Sequence, residues 1–231
     1  MKRSESLQTD GGRTHQCILQ KVGKSILCIN NNKIHSEDKL KNIVYIHGAH
    51  SSSVSFNYLK MGLPAHNALM LDYRVDVPFM ENEDRFEREI AARFKDQSYS
   101  IIAHSLGGLH AAKIMLRCNH AESAVTIAAP YGGSQFADYL RWFAPQYQLF
   151  KDIRVTSPVI KSLKGFKISK PYLQIVTTGG GNPLMQEDND GTVTKQSQLA
   201  LGVQHVELHL NHFEALLSEK TVELTKHHLY K

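Results

Sequence analysis

The sequence predicts an α/β fold, with one mostly parallel, doubly wound sheet carrying helices on both faces. Five short apolar runs, at 43–46, 68–71, 99–103, 124–128 and 172–177, lack the polar alternation of a half-exposed strand. Strands covered on both faces have that pattern. Segments with helical spacing lie between them, and strand alternating with helix implies parallel βαβ units with right-handed crossovers. At 231 residues the chain suits a single domain, 1–231.

The elements follow in order. Residues 17–22 and 25–29 are apolar-rich runs either side of Gly23-Lys24 and predict a hairpin after a polar N-terminal tail. Asn30-Asn31-Asn32 then breaks the chain, because Asn tolerates left-handed backbone and bonds to nearby main chain. Phe86, Ile90, Ala91 and Phe94 recur at helical spacing within 83–94. Residues 106–117 are rich in Ala, Leu and Met, and 192–201 and 212–230 are the later helices. The run 203–210 alternates with polar residues and belongs nearer a sheet edge. Residues 131–170 are long for a simple crossover and predict a cap insertion.

Composition sets outer limits. With 42% hydrophobic and 21% charged residues the chain can pack a core and is not of the disordered class. Its 27 Lys and Arg against 22 Asp and Glu leave a charge of +5, too little to imply nucleic-acid binding without a clustered patch. Cys17, Cys28 and Cys118 are odd in number and widely spaced, which fits neither a disulfide framework nor a metal site. The stretch from Met1 to Gln16 lacks the apolar segment of a secretory signal, and no apolar run nears the roughly eighteen residues of a membrane span. A cytoplasmic protein is the expectation.

One stretch concentrates chemistry: Ile101-Ile102-Ala103-His104-Ser105-Leu106-Gly107-Gly108. A strand ends, one serine follows and a helix begins at once, with small residues on both sides. A serine in such a strained turn stands clear of the sheet, and bulk two residues away would strike neighbouring backbone. The helix N-terminus directs free N–H groups and a positive dipole end at developing negative charge. The plain alternative is a serine capping an ordinary helix.

The stretch resembles the G-x-S-x-G elbow of the α/β-hydrolases, especially the G-H-S-x-G-G form of lipases and esterases, with Ala103 in place of the first glycine. The resemblance extends over residues 43–217. An apolar strand ending in His47-Gly48-Ala49 is similar to the oxyanion loop of that superfamily. It implies backbone donors at Ala49 and Leu106, with Gly48 allowing close approach to substrate and His47 organising the loop. Asn189-Asp190-Gly191-Thr192-Val193 resembles the D-G-x-V acid loop of many lipases and implies Asp190 as the acid, with Asp188 or Glu187 next in line. An acidic turn, or a cation site of Asp188 and Asp190, is the other reading of that loop. Of thirteen histidines, His212 follows the last strand and precedes an apolar helix, as the family's base does. His205 and His209 fall on the strand surface, and His227 and His228 in a basic tail. Thr126-Ile127-Ala128-Ala129-Pro130-Tyr131-Gly132-Gly133-Ser134 is similar to the stretch after the sixth strand of lipases.

The resemblance implies a serine hydrolase that cleaves carboxylic esters through Ser105, Asp190, His212 and an acyl-enzyme. No metal or cofactor is implied, and the expected partner is a small ester or lipid-like molecule. A thioesterase or acyltransferase with the same triad is an alternative, as is a non-catalytic ligand-binding module. His47, Gly48, His104, Tyr131, Phe136 and Phe143 are the expected substrate-side residues. Phe136, Tyr139, Leu140 and Phe143 fall at i, i+3, i+4 and i+7, a face that either closes over an acyl pocket or packs on the sheet. Lys151, Arg154, Lys161, Lys164, Lys167 and Lys170 face only Asp152 among acids. They form either a solvated surface or a contact for phosphate headgroups or an anionic acyl carrier.

Overall fold

The structure is a computed structural model that describes residues 4–10, 13–22, 25–30, 40–74, 76–134, 148–165, 167–183, 185 and 187–231. Its contacts divide into two compact units, Met1–Leu40 and Lys41–Lys231. In the first, β1 (Ser4–Asp10), β2 (Arg13–Val22) and β3 (Ser25–Asn30) pair antiparallel in that order. The expected hairpin is β2–β3, with Val22 opposite Ser25 and Cys17 opposite Asn30. β1 lies in the stretch expected as a polar tail. A ladder made of backbone groups leaves little trace in so polar a sequence.

The second unit is built on six strands. They are β4 (Lys41–Ile46), β5 (His66–Leu71), β6 (Tyr99–His104), β7 (Ala121–Ile127), β8 (Tyr172–Thr177) and β9 (His205–Leu208). All pair parallel, in the order β5-β4-β6-β7-β8-β9. The chain steps outward from β4 to β5, returns to place β6 on the other side of β4, and then runs to β9. The direction therefore reverses between β4 and β6, and an open parallel sheet has its crevice at the carboxyl ends of the strands flanking such a reversal.

Both faces are covered, which explains the continuous apolar runs. Val44, Ile46, Ile101 and Ala103 face α2 (Phe79–Phe94) and α3 (Gly107–Arg117), packing with Phe86, Ile90 and Leu109. Ile43, Tyr45, Ile102 and Val125 point the other way, into a cluster with Phe56, Leu59, Ala215, Leu216 and Leu229. That side is closed by α1 (Asn57–Gly62) and α7 (Glu219–Leu229). The helix expected at 83–94 starts a turn earlier, just after Pro78, which supplies its N-cap. The helix expected over 212–230 is a 3₁₀ turn, Glu214–Leu217, followed by α7.

Residues 131–170 are described at 131–134, 148–165 and 167–170. Phe136, Tyr139, Leu140 and Phe143 lie outside the described residues. Two short helices, α4 (Gln148–Asp152) and α5 (Pro158–Leu163), bury Leu149, Val159, Ile160 and Leu163 in the cluster with α2 and α3. Asp152 Oδ2 accepts the Phe79 N–H at 3.2 Å, and Ser157 caps α5 by accepting the Ile160 N–H at 3.1 Å. This part of the segment is core.

α3 also carries His110, which is fully buried, stacked on Phe79 at 3.8 Å between ring centroids and flanked by Tyr73 and Phe86. Neither ring nitrogen has a partner among the described residues. Burial, with Arg85 second, holds its pKa well below the usual 6.5. The unfolded chain therefore binds a proton that the folded one refuses, and stability falls as pH drops below about 6.5. Glu83 works in the opposite sense, since burial lifts its carboxyl to about 7. His110→Phe should flatten the acid side of a plot of unfolding free energy against pH by up to about 1.4 kcal/mol per unit below pH 6.5. Urea titrations at several pH values would check this, and parallel curves for variant and parent would count against it.

Candidate active site

Ser105 sits in the tight turn between β6 and α3 with φ of +52°. A non-glycine residue there costs about 1–3 kcal/mol and persists only where its surroundings hold it. Its N–H donates to the Ile127 carbonyl at 2.8 Å and its carbonyl accepts from Gly108 N–H at 2.9 Å. The two following glycines are needed for space: a Cβ on Gly107 would lie 2.1 Å from the Ile46 carbonyl oxygen, and one on Gly108 2.3 Å from the Ala129 Cβ. Ala103 is fully buried in β6, paired with Ile46 and Thr126, so its methyl is accommodated where the motif has glycine.

The loop after β4 reaches the serine from the side. A Cβ on Gly48 would stand 2.8 Å from Ser105 Cβ and 3.3 Å from His104 Nδ1. His47 is buried, with Nδ1–H donating to the Gly48 carbonyl at 2.6 Å and Nε2 accepting the Tyr73 N–H at 3.0 Å. Those bonds assign the tautomer and tie the loop down. Among the described residues the backbone N–H groups of Ala49 and Leu106 have no backbone acceptor. Leu106 stands at the N-cap of α3, where unspent N–H groups are inherent to a helix start.

The acid and histidine loops are fastened together. His212 is buried, and Asp190 Oδ2 lies 2.7 Å from its Nδ1. A carboxylate only accepts, so Nδ1 carries the proton and Nε2 keeps the basic lone pair. The His212 N–H donates to the Asp190 carbonyl at 2.9 Å, and Gly179 N–H to the Leu210 carbonyl at 2.8 Å. A Cβ on Gly180 would fall 1.8 Å from the Gly191 nitrogen, so this glycine lets the two strands of the acid loop close.

Asp190 is almost wholly buried yet well supplied with donors. Oδ1 accepts from the N–H groups of Thr192 at 2.9 Å and Val193 at 2.7 Å; Oδ2 accepts from Thr177 Oγ1 at 2.6 Å and Gln198 Nε2 at 3.4 Å. Burial alone pushes its pKa up, but the His212 bond and these donors outweigh burial and hold it below the usual 3.8. Thr177 and Gln198 are absent from the sequence expectations. Gln198 is itself held by the Thr177 backbone, through N–H to Oε1 at 2.9 Å and Nε2 to carbonyl at 2.8 Å. Glu187 and Asp188 are exposed and make no hydrogen bond to His212. Among the described residues no acidic and His/Cys cluster could hold a metal.

His104, expected on the substrate side, is buried, and its Nε2–H donates to the His212 carbonyl at 2.9 Å. Burial and then His212 push its pKa down to about 3. Tyr131 is also buried, its hydroxyl bonded to Thr126 Oγ1 at 2.9 Å and the Tyr172 hydroxyl at 2.6 Å. Among the described residues no hydrogen bond joins Ser105 to His212, and His104 provides the link between their loops. Beside His212 lies a cleft of about 520 Å³ lined by Gly179, Gly180, Pro183, Thr192 and Phe213. Phe213 is exposed there.

Comparison with solved structures places the architecture. The mature lipase BlEst2 of Bacillus licheniformis matches with a TM-score of 0.64 at 19% identity, over 83% of this chain and 92% of that one. The fold is that of the α/β-hydrolases. A lipase-esterase related protein of Clostridium acetobutylicum gives 0.60 at 13% identity, over 82% of this chain and 94% of that one. The enol-lactonase of Burkholderia xenovorans gives 0.59 at 13%, over 83% and 92%. No protein-family model and no curated protein sequence matches the chain. In this α/β-hydrolase frame Gly48, Ser105, Asp190 and His212 all follow carboxyl ends of strands, those of β4, β6, β8 and β9.

Thr177→Val should leave the buried Asp190 carboxylate one donor short and lower stability by about 1.5–3 kcal/mol at pH 7. Thr177→Ser, which keeps the hydroxyl, should restore most of the loss in a urea titration. Equal losses in both variants would mean that methyl packing, not the hydrogen bond, is what Thr177 contributes.

Proposed function

We propose that this chain is a serine esterase that cleaves carboxylic esters through Ser105, His212 and Asp190. The observation that carries the reading is the buried Asp190 carboxylate gripping His212 Nδ1 at 2.7 Å while the elbow beside it holds Ser105 at φ of +52°. The solved neighbours add support: two are named as a lipase and an enol-lactonase, and a lactone is an internal ester.

In this reading His212 Nε2 takes the proton of Ser105 Oγ as the oxygen attacks the ester carbonyl. Asp190 keeps the proton of Nδ1 in place and stabilises the imidazolium without taking that proton. Negative charge developing on the carbonyl oxygen meets the free N–H groups of Ala49 and Leu106, aided by the start of α3. The imidazolium then protonates the leaving alkoxide and an acyl-serine remains. Water, deprotonated by His212, attacks the acyl-serine and releases the carboxylic acid, restoring Ser105. Gly48 keeps the oxyanion loop free of a side chain against the serine.

A fluorophosphonate probe should label Ser105, as located by peptide mass spectrometry, and Ser105→Ala should be silent to it. On nitrophenyl esters Asp190→Asn should lower kcat by roughly four orders of magnitude, while Asp188→Asn stays close to the parent. Gly48→Ala should fold but react poorly with both probe and ester. Parent-level ester hydrolysis by Ser105→Ala would overturn the reading, and so would a crippled Asp188→Asn beside a mild Asp190→Asn.

A further inference from the structure

At the opposite end of the sheet from Ser105 lies a larger cleft of about 970 Å³, lined by Lys41, Glu122, Lys167, Lys170, His228 and Lys231 among others. Its rim is made by the amino ends of strands: Lys41 opens β4, Glu122 is second in β7, and Tyr172 opens β8. Four lysines from three distant parts of the chain thus border one cleft, and among the described residues Glu122 is the carboxylate side chain in its lining. Lys167 and Lys170 belong to the basic stretch of the sequence, whereas Lys151, Arg154, Lys161 and Lys164 do not line this cleft.

The pairing of these cations is incomplete. Lys41 Nζ reaches Glu122 at 3.3 Å, and Lys170 donates to the Cys118 carbonyl. Among the described residues Lys167 and Lys231 have no ion-pair partner. His228 registers the surroundings, since burial first and Lys231 second hold its pKa below the usual 6.5. Like charges gathered in a concave surface repel one another and focus a positive potential into the cleft. An anion relieves that repulsion. Ammonium groups act as point charges on flexible stems and suit the rounded charge of a phosphate better than the planar fork of a carboxylate.

We propose that this basic cleft is a second binding site, separate from the Ser105 site, for a phosphate-bearing ligand carrying two or more negative charges. Its volume takes a small phosphorylated molecule whole. The half-buried side chains of Ile168 and Val203 give such a molecule an apolar wall. Lys167 and Lys231, the cations without ion-pair partners, hold the phosphate, while Glu122 limits affinity by repulsion and by occupying Lys41.

Isothermal titration of the full chain with inorganic pyrophosphate tests this directly. One site per chain is expected, weakening as salt rises. Lys167→Ala with Lys231→Ala should weaken binding by about tenfold or more, while Glu122→Gln should tighten it several-fold. Thermal unfolding of each variant confirms that the fold is kept, and fluorophosphonate labelling of Ser105 should be unaffected, which separates this site from the esterase reading. A parallel arm uses sedimentation with phosphatidylcholine vesicles containing phosphatidic acid, whose phosphomonoester headgroup can carry two charges. Binding to vesicles that is lost in the double variant, without heat from pyrophosphate, would assign the same phosphate chemistry to lipid headgroups. Pyrophosphate affinity unchanged by the lysine substitutions, or no binding in either arm, would overturn the proposal.

Discussion

Ser105 occupies left-handed backbone, and the elements around it are shaped by what keeps it there. Its N–H continues the β6–β7 ladder to the Ile127 carbonyl, so the strained residue is pinned by the sheet itself. α3 can start immediately afterwards only because Gly107 and Gly108 let it run against the ends of β4 and the segment beyond β7. That close approach brings the His47-Gly48-Ala49 loop alongside the serine. Strand order, the two glycines and the strained turn are therefore one constraint seen from three sides. Loosening the turn would remove the reason for each of the others.

Electrostatics divides labour among the buried histidines. His212 faces a carboxylate held ionised by several donors, so its proton sits on Nδ1 and its lone pair on Nε2. His104, next to the serine, is desolvated with its Nε2–H committed to the His212 carbonyl, and its pKa is pushed down to about 3. It stays neutral at ordinary pH and positions the histidine loop instead of competing for a proton. Burial disfavours charge on both groups, yet the outcomes are opposite. Asp190 keeps its charge because donors are supplied, and His104 stays uncharged because no counterion is.

The local parts of the site were legible in the residues. A serine between strand and helix with Gly107-Gly108 behind it, a His-Gly loop, an Asp-Gly turn and a histidine after the last strand each have a short signature. Thr177 and Gln198 had none, since a threonine ending a strand and a glutamine in a short helix are common everywhere. Their meaning arises only when β8 and α6 (Lys195–Leu199) meet beside Asp190. The glycine run 179–181 was visible, but its purpose, closing the acid loop and meeting the histidine loop, needed three dimensions. Length marked 131–170 as an insertion; it could not say that Leu149, Val159, Ile160 and Leu163 face the core. β1 was hidden because its register rests on backbone pairing, with no apolar pattern to betray it.

Asp190 and His212 are joined by side chain and by main chain, and the neighbouring Gly179–Leu210 bond ties the same two loops again. Among the described residues, the hydrogen bond that joins the elbow to this assembly is that of His104 Nε2–H to the His212 carbonyl. Mechanically, Asp190 and His212 form a doubly tied jaw, and the joint to the Ser105 turn has fewer bonds. A fluctuation that opens the site strains the His104–His212 joint and leaves the histidine still clamped at its set angle. Under the proposed esterase reading, room for esters of differing bulk would come from between Ser105 and His212, while the Asp190 bond keeps the proton on Nδ1.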